Sequence, residues 1–315
     1  MKALVTGAAG FIGSHLAEHL LRGGARVVGI DAFTDYYPRA EKERNLEMLS
    51  GAADFSLVEA SLVDADLAAV IDGITHVFHL AAQPGVRKSW GQTFQHYTAN
   101  NIGATQRLLE VCAGRPIERF VYASSSSVYG NAPMPMSEEV RPLPVSPYGV
   151  TKLAAEHLCR LYHAERLVPA VAVRYFTVYG PRQRPDMAFR RFLTAAEEGS
   201  ALPLYGDGQQ TRDFTYVDDA VSATLAAADR GQPGSVYNVG GGSRITLLEV
   251  VAEIERVTGR SLQLDHQGVQ SGDMRDTYAD TTRAQRELGF TPTVTLEDGL
   301  RAEYDWLLRT LPSHL

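Results

Sequence analysis

Ala3-Leu-Val-Thr-Gly-Ala-Ala-Gly-Phe-Ile-Gly13 is the stretch that decides the fold of this 315-residue chain. A short apolar run meets a turn that holds Gly7, Gly10 and Gly13, and an amphipathic stretch follows directly. This order predicts a buried strand that turns sharply into a helix. Glycines at such a turn let a phosphate approach the first amides of the helix. The stretch therefore predicts a dinucleotide site.

A second apolar run, Val27-Val-Gly-Ile-Asp31, ends in a carboxylate. An acid at this position accepts hydrogen bonds from the adenosine ribose and disfavours a 2′-phosphate. We therefore expect NAD rather than NADP as the cofactor. A lone glycine-rich turn is weak support for such a site, whereas strand, glycines, helix, strand and acid in this order are specific.

The composition is that of an ordinary globular protein, with 44% hydrophobic and 21% charged residues. A net charge of −7 without a basic tract argues against nucleic acid as a partner. The first strand begins at Lys2, so we expect no signal peptide, and no apolar run is long enough for a membrane span. Cys112 and Cys159 are predicted to be free thiols, which favours a cytoplasmic location. The nine histidines form no ligand cluster, and we expect no metal.

Strands and helices alternate through the first 180 residues. Strands are predicted at 2–6, 26–31, 55–58, 74–81, 118–124 and 169–176, and helices near 13–22, 41–49, 65–71, 92–113 and 147–166. Such alternation predicts an α/β fold with a doubly wound, Rossmann-like parallel sheet, with residues 1–180 as the NAD-binding domain. Ligands of such sheets lie at the carboxyl ends of the strands.

The second half is more loosely patterned and richer in proline and glycine. Helices are predicted near 187–198, 217–228, 246–258 and 296–308, and strands near 202–205 and 211–215. We interpret residues 181–315 as a smaller lobe that binds the substrate. The boundary is soft, because chain from this half can return to the sheet.

A serine-rich strand end and a Tyr-x-x-x-Lys pair carry the chemistry. Ser125 follows a predicted strand, and Tyr148 and Lys152 lie four residues apart on one face of a predicted helix. A free phenol is a poor base at neutral pH, but a nearby ammonium and a positively charged nicotinamide lower its pKa. Tyr148 can then remove a hydroxyl proton while hydride leaves the same carbon.

Together these motifs resemble the extended short-chain dehydrogenase/reductase family, the enzymes that modify nucleotide sugars, over essentially the whole chain. The resemblance implies that Ser125 is the active serine, that Ser126 and Ser127 line the sugar, and that Asn100 steadies the active-site helix through its backbone. It also implies a set of residues around NAD, namely Gly7, Gly10, Phe11, Ile12, Gly13, Asp31, Leu80, Ala81, Ala82, Asn100, Tyr148, Lys152 and Tyr175.

The resemblance also narrows the reaction. Dehydratases of the family carry an Asp-Glu pair where this chain has Ser126 and Ser127, so dehydration is not expected. The strings at 29–37, 83–89 and 176–188 are similar to those of UDP-glucuronate 4-epimerases.

In that group a uronic acid carboxylate is expected to pair with Arg184, with Thr177 and Arg87 also on the substrate side. Epimerisation of UDP-glucose or another UDP-hexose, decarboxylation of UDP-glucuronate, and a non-catalytic NAD-binding sensor remain alternatives.

The nucleotide end of the substrate is expected in the second lobe. There Arg212 resembles the arginine that meets the diphosphate, Asp273 resembles the acid on the uridine ribose, and Arg275 assists. Helices 92–113 and 147–166 form a dimer bundle in many relatives, which implies a homodimer.

Overall fold

Within residues 1–268, 272 and 274–311, which the computed structural model describes, seven strands form one parallel sheet. The strands of the chain are β1 (Lys2–Thr6), β2 (Arg26–Asp31), β3 (Phe55–Glu59), β4 (His76–His79), β5 (Arg119–Ser125), β6 (Ala170–Tyr175), β7 (Thr177–Tyr179), β8 (Ala201–Tyr205), β9 (Thr211–Tyr216), β10 (Val236–Val239), β11 (Arg244–Thr246) and β12 (Gln263–Gln267). The large sheet has the order β10-β6-β5-β4-β1-β2-β3, and its neighbours all pair in parallel.

Helices cover both faces of this sheet. They are α1 (Phe11–Arg22), α2 (Arg39–Asn45), α3 (Leu67–Val70), α4 (Phe94–Tyr97), α5 (Ala104–Cys112), α6 (Pro147–Arg166), α7 (Ala188–Glu198), α8 (Val217–Arg230), α9 (Leu247–Thr258), α10 (Thr282–Leu288) and α11 (Leu296–Thr310). One apolar cluster joins the sheet to α1, α8 and α10, and a second joins it to α3, α5 and α6. The predicted doubly wound sheet is thus confirmed. Burial on both faces explains why its central strands are apolar along their whole length.

The predicted elements of the first half are present, and the limits of β1 and β2 are those predicted, whereas two other elements differ clearly from their predicted limits. The run predicted as a strand at 74–81 pairs only over His76–His79. The helix predicted at 92–113 is divided into α4, a π-helix at Thr98–Gly103, and α5. Its interruption changes which side chains face the sheet, and this matters for the site below.

The second half forms smaller sheets that pack beside the large one. One has the order β11-β9-β7 and another pairs β12 with β8. A third apolar cluster joins them to α7, α9 and α11. Four of the strands, β7 and β10–β12, and helix α10 were not predicted.

Three elements beyond residue 180 pack on or extend the large sheet. Helices α8 and α10 pack on it, and β10 extends its edge by pairing with β6. Chain from the second half therefore returns to the sheet, while the division into two lobes stays a prediction. In the part of the chain with described coordinates, no helix combines the length and apolar character that crossing a membrane requires.

Candidate active site

A cavity of about 700 Å³ opens at the carboxyl ends of the large sheet and is lined on the other side by residues of α7, β8 and β9. Most residues predicted for the site line it: Gly7, Gly10, Phe11, Ile12, Gly13, Asp31, Leu80, Ala81, Ala82, Arg87, Asn100, Ser125, Ser126, Ser127, Tyr148, Lys152, Tyr175, Thr177, Arg184 and Arg212. Parallel strands gather their following loops at one edge, so residues far apart in sequence meet here. Elsewhere in the described chain, no group of three or more His, Cys, Asp or Glu side chains is placed to hold a metal ion.

The glycine turn between β1 and α1 has no room for side chains. Gly7 has a φ of +71°, which L side chains rarely adopt. A Cβ on Gly13 would lie 2.1 Å from the carbonyl oxygen of Gly7. Gly10 caps the helix without a side-chain hydrogen bond, and the first amides of a helix have no partner within it. This cradle fits a diphosphate.

Asp31 lies at the end of β2 in the same cavity. One carboxylate oxygen accepts the amide of Ala9 at 3.1 Å, and the other accepts the amide of Phe33 at 2.9 Å. Two backbone donors therefore orient the carboxylate at the edge of the cradle. This placement fits the hydroxyls of an adenosine ribose and disfavours a 2′-phosphate.

A chain of buried side chains fixes the loop after β4. The hydroxyl oxygen of Thr6 accepts the amides of Leu80 at 3.1 Å and Ala81 at 3.0 Å. Its proton is therefore directed to Nδ1 of His79, 2.8 Å away, and Nε2 of His79 donates to Thr105 at 2.9 Å. Burial lowers the pKa of His79 to about 3, so the ring is neutral at physiological pH.

The start of α6 is built to place Tyr148 against the serines. Ser146 caps the helix by accepting the amide of Gly149 at 3.1 Å, and Pro147 occupies its first turn. A Cβ on Gly149 would lie 2.4 Å from the carbonyl oxygen of Ser127, so glycine permits this close approach. The fully buried hydroxyl of Ser89 accepts the Tyr148 amide at 3.1 Å. Ser89 was not predicted, because nothing in its local pattern indicates this long-range contact.

Tyr148 and Ser125 line the cavity together. Burial raises the pKa of Tyr148, while the Arg184 guanidinium and the Ser125 hydroxyl oppose that rise. Burial also lowers the pKa of Lys152 to about 7, and its ammonium nitrogen lies 4.6 Å from the centre of the Tyr122 ring. Among the chain's own groups, desolvation outweighs the positive charge of Arg184, so the pKa of the phenol is raised. The depression expected from Lys152 together with the nicotinamide stays a prediction.

The asparagine that steadies the active-site helix is Asn101, not the predicted Asn100. Asn101 is buried, and its side chain accepts the amide of Gln83 at 2.7 Å and donates to Thr151 of α6 at 3.0 Å. The half-buried Asn100 lines the cavity, and its amide donates to His96 at 2.8 Å within its own helix. The role predicted for Asn100 is therefore wrong by one position.

The part of the cavity where the sugar is expected is lined by hydroxyl side chains and one arginine–aspartate ion pair. Ser126, Ser127 and Thr177 line it together with Arg184. Arg184 is paired with Asp186 through two hydrogen bonds of 3.0 and 3.1 Å.

At the outer end the Arg87 guanidinium lies 4.1 Å from the centre of the Tyr205 ring. This contact connects the loop after β4 to the end of β8.

Two predictions for the nucleotide end stay open. The side chain of Arg275 is 71% exposed, pairs with Asp207 and Asp276, and lies outside the described cavity lining. The structure does not bring it to the cavity, so its role in substrate binding stays a prediction. Arg212 lines the cavity, and its guanidinium also donates to the carbonyls of Met274 and Arg275. Asp273 lies outside the described residues.

Comparisons with known proteins agree with this geometry. The model of the NAD dependent epimerase/dehydratase family matches residues 3–240. A crystal structure of UDP-glucuronic acid 4-epimerase from Bacillus cereus, in complex with UDP-glucuronic acid and NAD, is 46% identical with a TM-score of 0.96, covering 98% of this chain and 99% of that chain. MoeE5 is 43% identical with a TM-score of 0.90, covering 99% of this chain and 100% of that chain, and was solved with NAD and either UDP-glucose or UDP-glucuronic acid.

A curated relative from Bacillus subtilis (strain 168), named as the uncharacterized UDP-glucose epimerase YtcB, is 46% identical over 311 residues that cover 98% of each chain. Both the family model and these relatives extend over the cradle and the Tyr148 helix. The chain described here belongs to the NAD-dependent epimerase/dehydratase family.

Proposed function

We propose that this chain is a UDP-glucuronate 4-epimerase, which interconverts UDP-glucuronate and UDP-galacturonate with tightly bound NAD. The observation that carries this proposal is the single cavity that holds the glycine cradle, the Tyr148–Ser125 pair and Arg184. The structure of the Bacillus cereus enzyme with UDP-glucuronic acid and NAD supports it.

The cradle and Asp31 would hold NAD, with the loop of Leu80 and Ala81 beside it. When bound, NAD supplies a hydride acceptor that can return the hydride, and a positive charge near the phenol. A Cβ at Gly13 would lie 2.1 Å from the carbonyl oxygen of Gly7, so only glycine there lets the turn close into the cradle.

Tyr148 is the base that takes the proton from the 4-hydroxyl of the sugar. Ser125 lines the same cavity, where its hydroxyl would pass that proton and stabilise the phenolate. The positive charge of Arg184 favours the phenolate as well. The same phenol returns the proton once the 4-keto sugar has presented its opposite face.

Arg184 and the hydroxyls of Ser126, Ser127 and Thr177 line this cavity, and we expect them to bind the carboxylate of a uronic acid. A 4-keto uronate is a β-keto acid, and it loses carbon dioxide when its carboxylate aligns with the carbonyl π system. Holding the carboxylate out of that alignment favours epimerisation over decarboxylation.

Epimerisation of UDP-glucose is the second candidate. The name of YtcB and the UDP-glucose complex of MoeE5 favour it. The arginine at 184 favours the uronate, because a neutral hexose offers no partner for a bidentate guanidinium.

The direct test is to incubate the NAD-loaded protein with UDP-glucuronate and to follow the anomeric protons by NMR. Signals of UDP-galacturonate support the proposal, whereas UDP-pentose with carbon dioxide indicates decarboxylation. Inertness together with turnover of UDP-glucose indicates the second candidate. The Tyr148→Phe variant is the control, and it is expected to retain NAD and to lose turnover by at least about a thousandfold.

We further propose a homodimer formed through α5 and α6, in a reducing compartment such as the cytoplasm. Val150 and Leu161, 46% and 54% exposed, lie on one face of α6, and both cysteines are buried free thiols. Light scattering is expected to give the mass of a dimer for the wild type and of a monomer for the V150E/L161E variant. A monomeric wild type would refute the dimer.

A further inference from the structure

The positive charge of Arg184 is compensated by a neighbouring carboxylate in the cavity. Its Nε donates to one carboxylate oxygen of Asp186 at 3.0 Å, and its Nη2 donates to the other at 3.1 Å. Both side chains line the cavity and are largely shielded, with 20% and 33% of their surfaces exposed. The cavity thus contains a bidentate ion pair where a substrate carboxylate is expected to bind.

The turn that carries this pair is anchored from several sides. The amide of Met187 donates to the carbonyl of Arg184 at 3.0 Å. The buried side chain of Gln183 donates to Val178 at 3.0 Å and accepts the amide of Arg190 at 2.9 Å. These hydrogen bonds fix the turn, so the fold sets the geometry of the Arg184–Asp186 pair.

A second loop contacts the same carboxylate. The Tyr36 hydroxyl donates to Asp186 at 3.4 Å, and the Arg184 guanidinium lies 5.8 Å from the centre of the Tyr36 ring. The ammonium of Lys88 lies 4.6 Å from the centre of the same ring. These contacts place Asp186 between the arginine and the loop after β2.

The arrangement has a consequence for selectivity between sugars. A guanidinium carries five N–H donors in a planar fork, and Asp186 uses the edge formed by Nε and Nη2. The edge formed by Nη1 and Nη2 is left for a second carboxylate. With a uronate bound, two carboxylates share one arginine and repel each other, whereas with a neutral hexose Asp186 alone neutralises the charge.

We propose that Asp186 is a specificity-determining residue. Its negative charge reduces the preference of the cavity for uronates over neutral nucleotide hexoses, so that both can bind. This inference rests on the proposed function, since it takes Arg184 as the partner of the substrate carboxylate. The residue acts on binding through Arg184 and takes no part in proton transfer.

Asp186→Asn tests the proposal, because asparagine keeps the size of the side chain and one acceptor while removing its charge. Dissociation constants of UDP-glucuronate and UDP-glucose are measured by calorimetry on NAD-loaded protein in the Tyr148→Phe background, where no turnover occurs. The ratio of the UDP-glucose constant to the UDP-glucuronate constant is expected to rise on the order of tenfold. An unchanged or smaller ratio overturns the proposal.

Asp207→Asn is the matched control. It removes the same charge from a side chain that is 57% exposed and outside the described cavity lining, so the ratio should not change. A rise of the same size in this variant would show a general effect of net charge and would overturn the proposal.

If the wild type binds both nucleotides but does not epimerise UDP-glucuronate, the proposed function fails, while the ratio still decides the role of Asp186.

Discussion

The cofactor cradle and the sugar side of the cavity are built in different ways. The cradle is built mainly from backbone: three glycines and the first turn of α1, with one acid side chain held by two backbone amides. The sugar side consists of side chains on loops, such as Arg184, whose turn is held by contacts from Tyr36 and Val178. The cradle therefore follows from one short stretch of sequence, whereas the sugar side depends on contacts between residues far apart in the chain.

The largest expected effect breaks the cradle itself. Gly13→Ala places a Cβ 2.1 Å from a backbone oxygen that cannot move without opening the turn. NAD affinity is expected to fall by more than about a hundredfold, seen as loss of NAD from the purified protein. Gly23→Ala at the other end of α1 is the control, since its Cβ would lie 3.4 Å from the nearest atom. Equal NAD contents in the two variants would contradict the proposed cradle.

The sequence predicted the cradle in full because each of its features is local. A glycine with a positive φ, a helix start and an acid at a strand end each leave a mark in neighbouring residues. Nearly all the residues predicted for the sugar side also line the cavity, but their partners were not predicted. Asp186, Ser89 and Tyr36 act through contacts between distant segments, which periodicity does not show.

The prediction named Asn100 instead of Asn101 for a more specific reason. Successive residues of an α-helix point about 100° apart, so a pattern decides between neighbours only where the helix is regular. Both asparagines lie in the π-helix Thr98–Gly103, whose wider turns shift the register of the faces. Arg275 stays a prediction, since it pairs with neighbouring acids on the surface and does not line the described cavity.

The next effect sharpens the assignment of the sugar side. Arg184→Ala is expected to lower kcat/KM for UDP-glucuronate by about a hundredfold and that for UDP-glucose by much less, because a charge-assisted bidentate pair is lost. Arg184→Lys keeps the charge but lacks the planar guanidinium. Its kcat/KM for UDP-glucuronate should lie between those of the wild type and of Arg184→Ala. Equal losses for both substrates would remove Arg184 from carboxylate recognition.

A smaller effect tests the corrected asparagine. Asn101→Ala removes the bonds that join Gln83 to α6 and is expected to lower kcat by about tenfold while NAD stays bound. The neighbouring Asn100→Ala variant loses only a hydrogen bond within its own helix, so its kcat should change little. Steady-state kinetics with NAD quantified in each preparation decides this. A larger loss for Asn100→Ala would restore the original prediction.

The smallest effect concerns the buried chain below the cradle. The pKa of His79 is about 3 in the folded protein and 6.5 when unfolded, so below pH 6.5 the unfolded chain binds a proton that the folded chain excludes. The free energy of unfolding should therefore fall with pH below 6.5, by about 1.4 kcal/mol per pH unit from this residue. His15, with a pKa of about 4, acts in the same direction, whereas Asp213, with a pKa of about 6, opposes it.

The contribution of His79 is isolated by comparing wild type with His79→Gln in urea unfolding across this pH range. In the variant, the slope of the unfolding free energy against pH should be smaller by an amount that corresponds to about one proton. Identical slopes would mean that His79 is already protonated in the folded protein.

The central claim is that the hydride removed from carbon 4 stays inside one cavity with the Tyr148 phenol and returns to the same carbon. Mass spectrometry of the products from UDP-glucuronate deuterated at carbon 4 tests whether the hydride is retained. If it stays in the cavity, the UDP-galacturonate formed keeps the deuterium at carbon 4. Exchange of that deuterium for solvent hydrogen would contradict it.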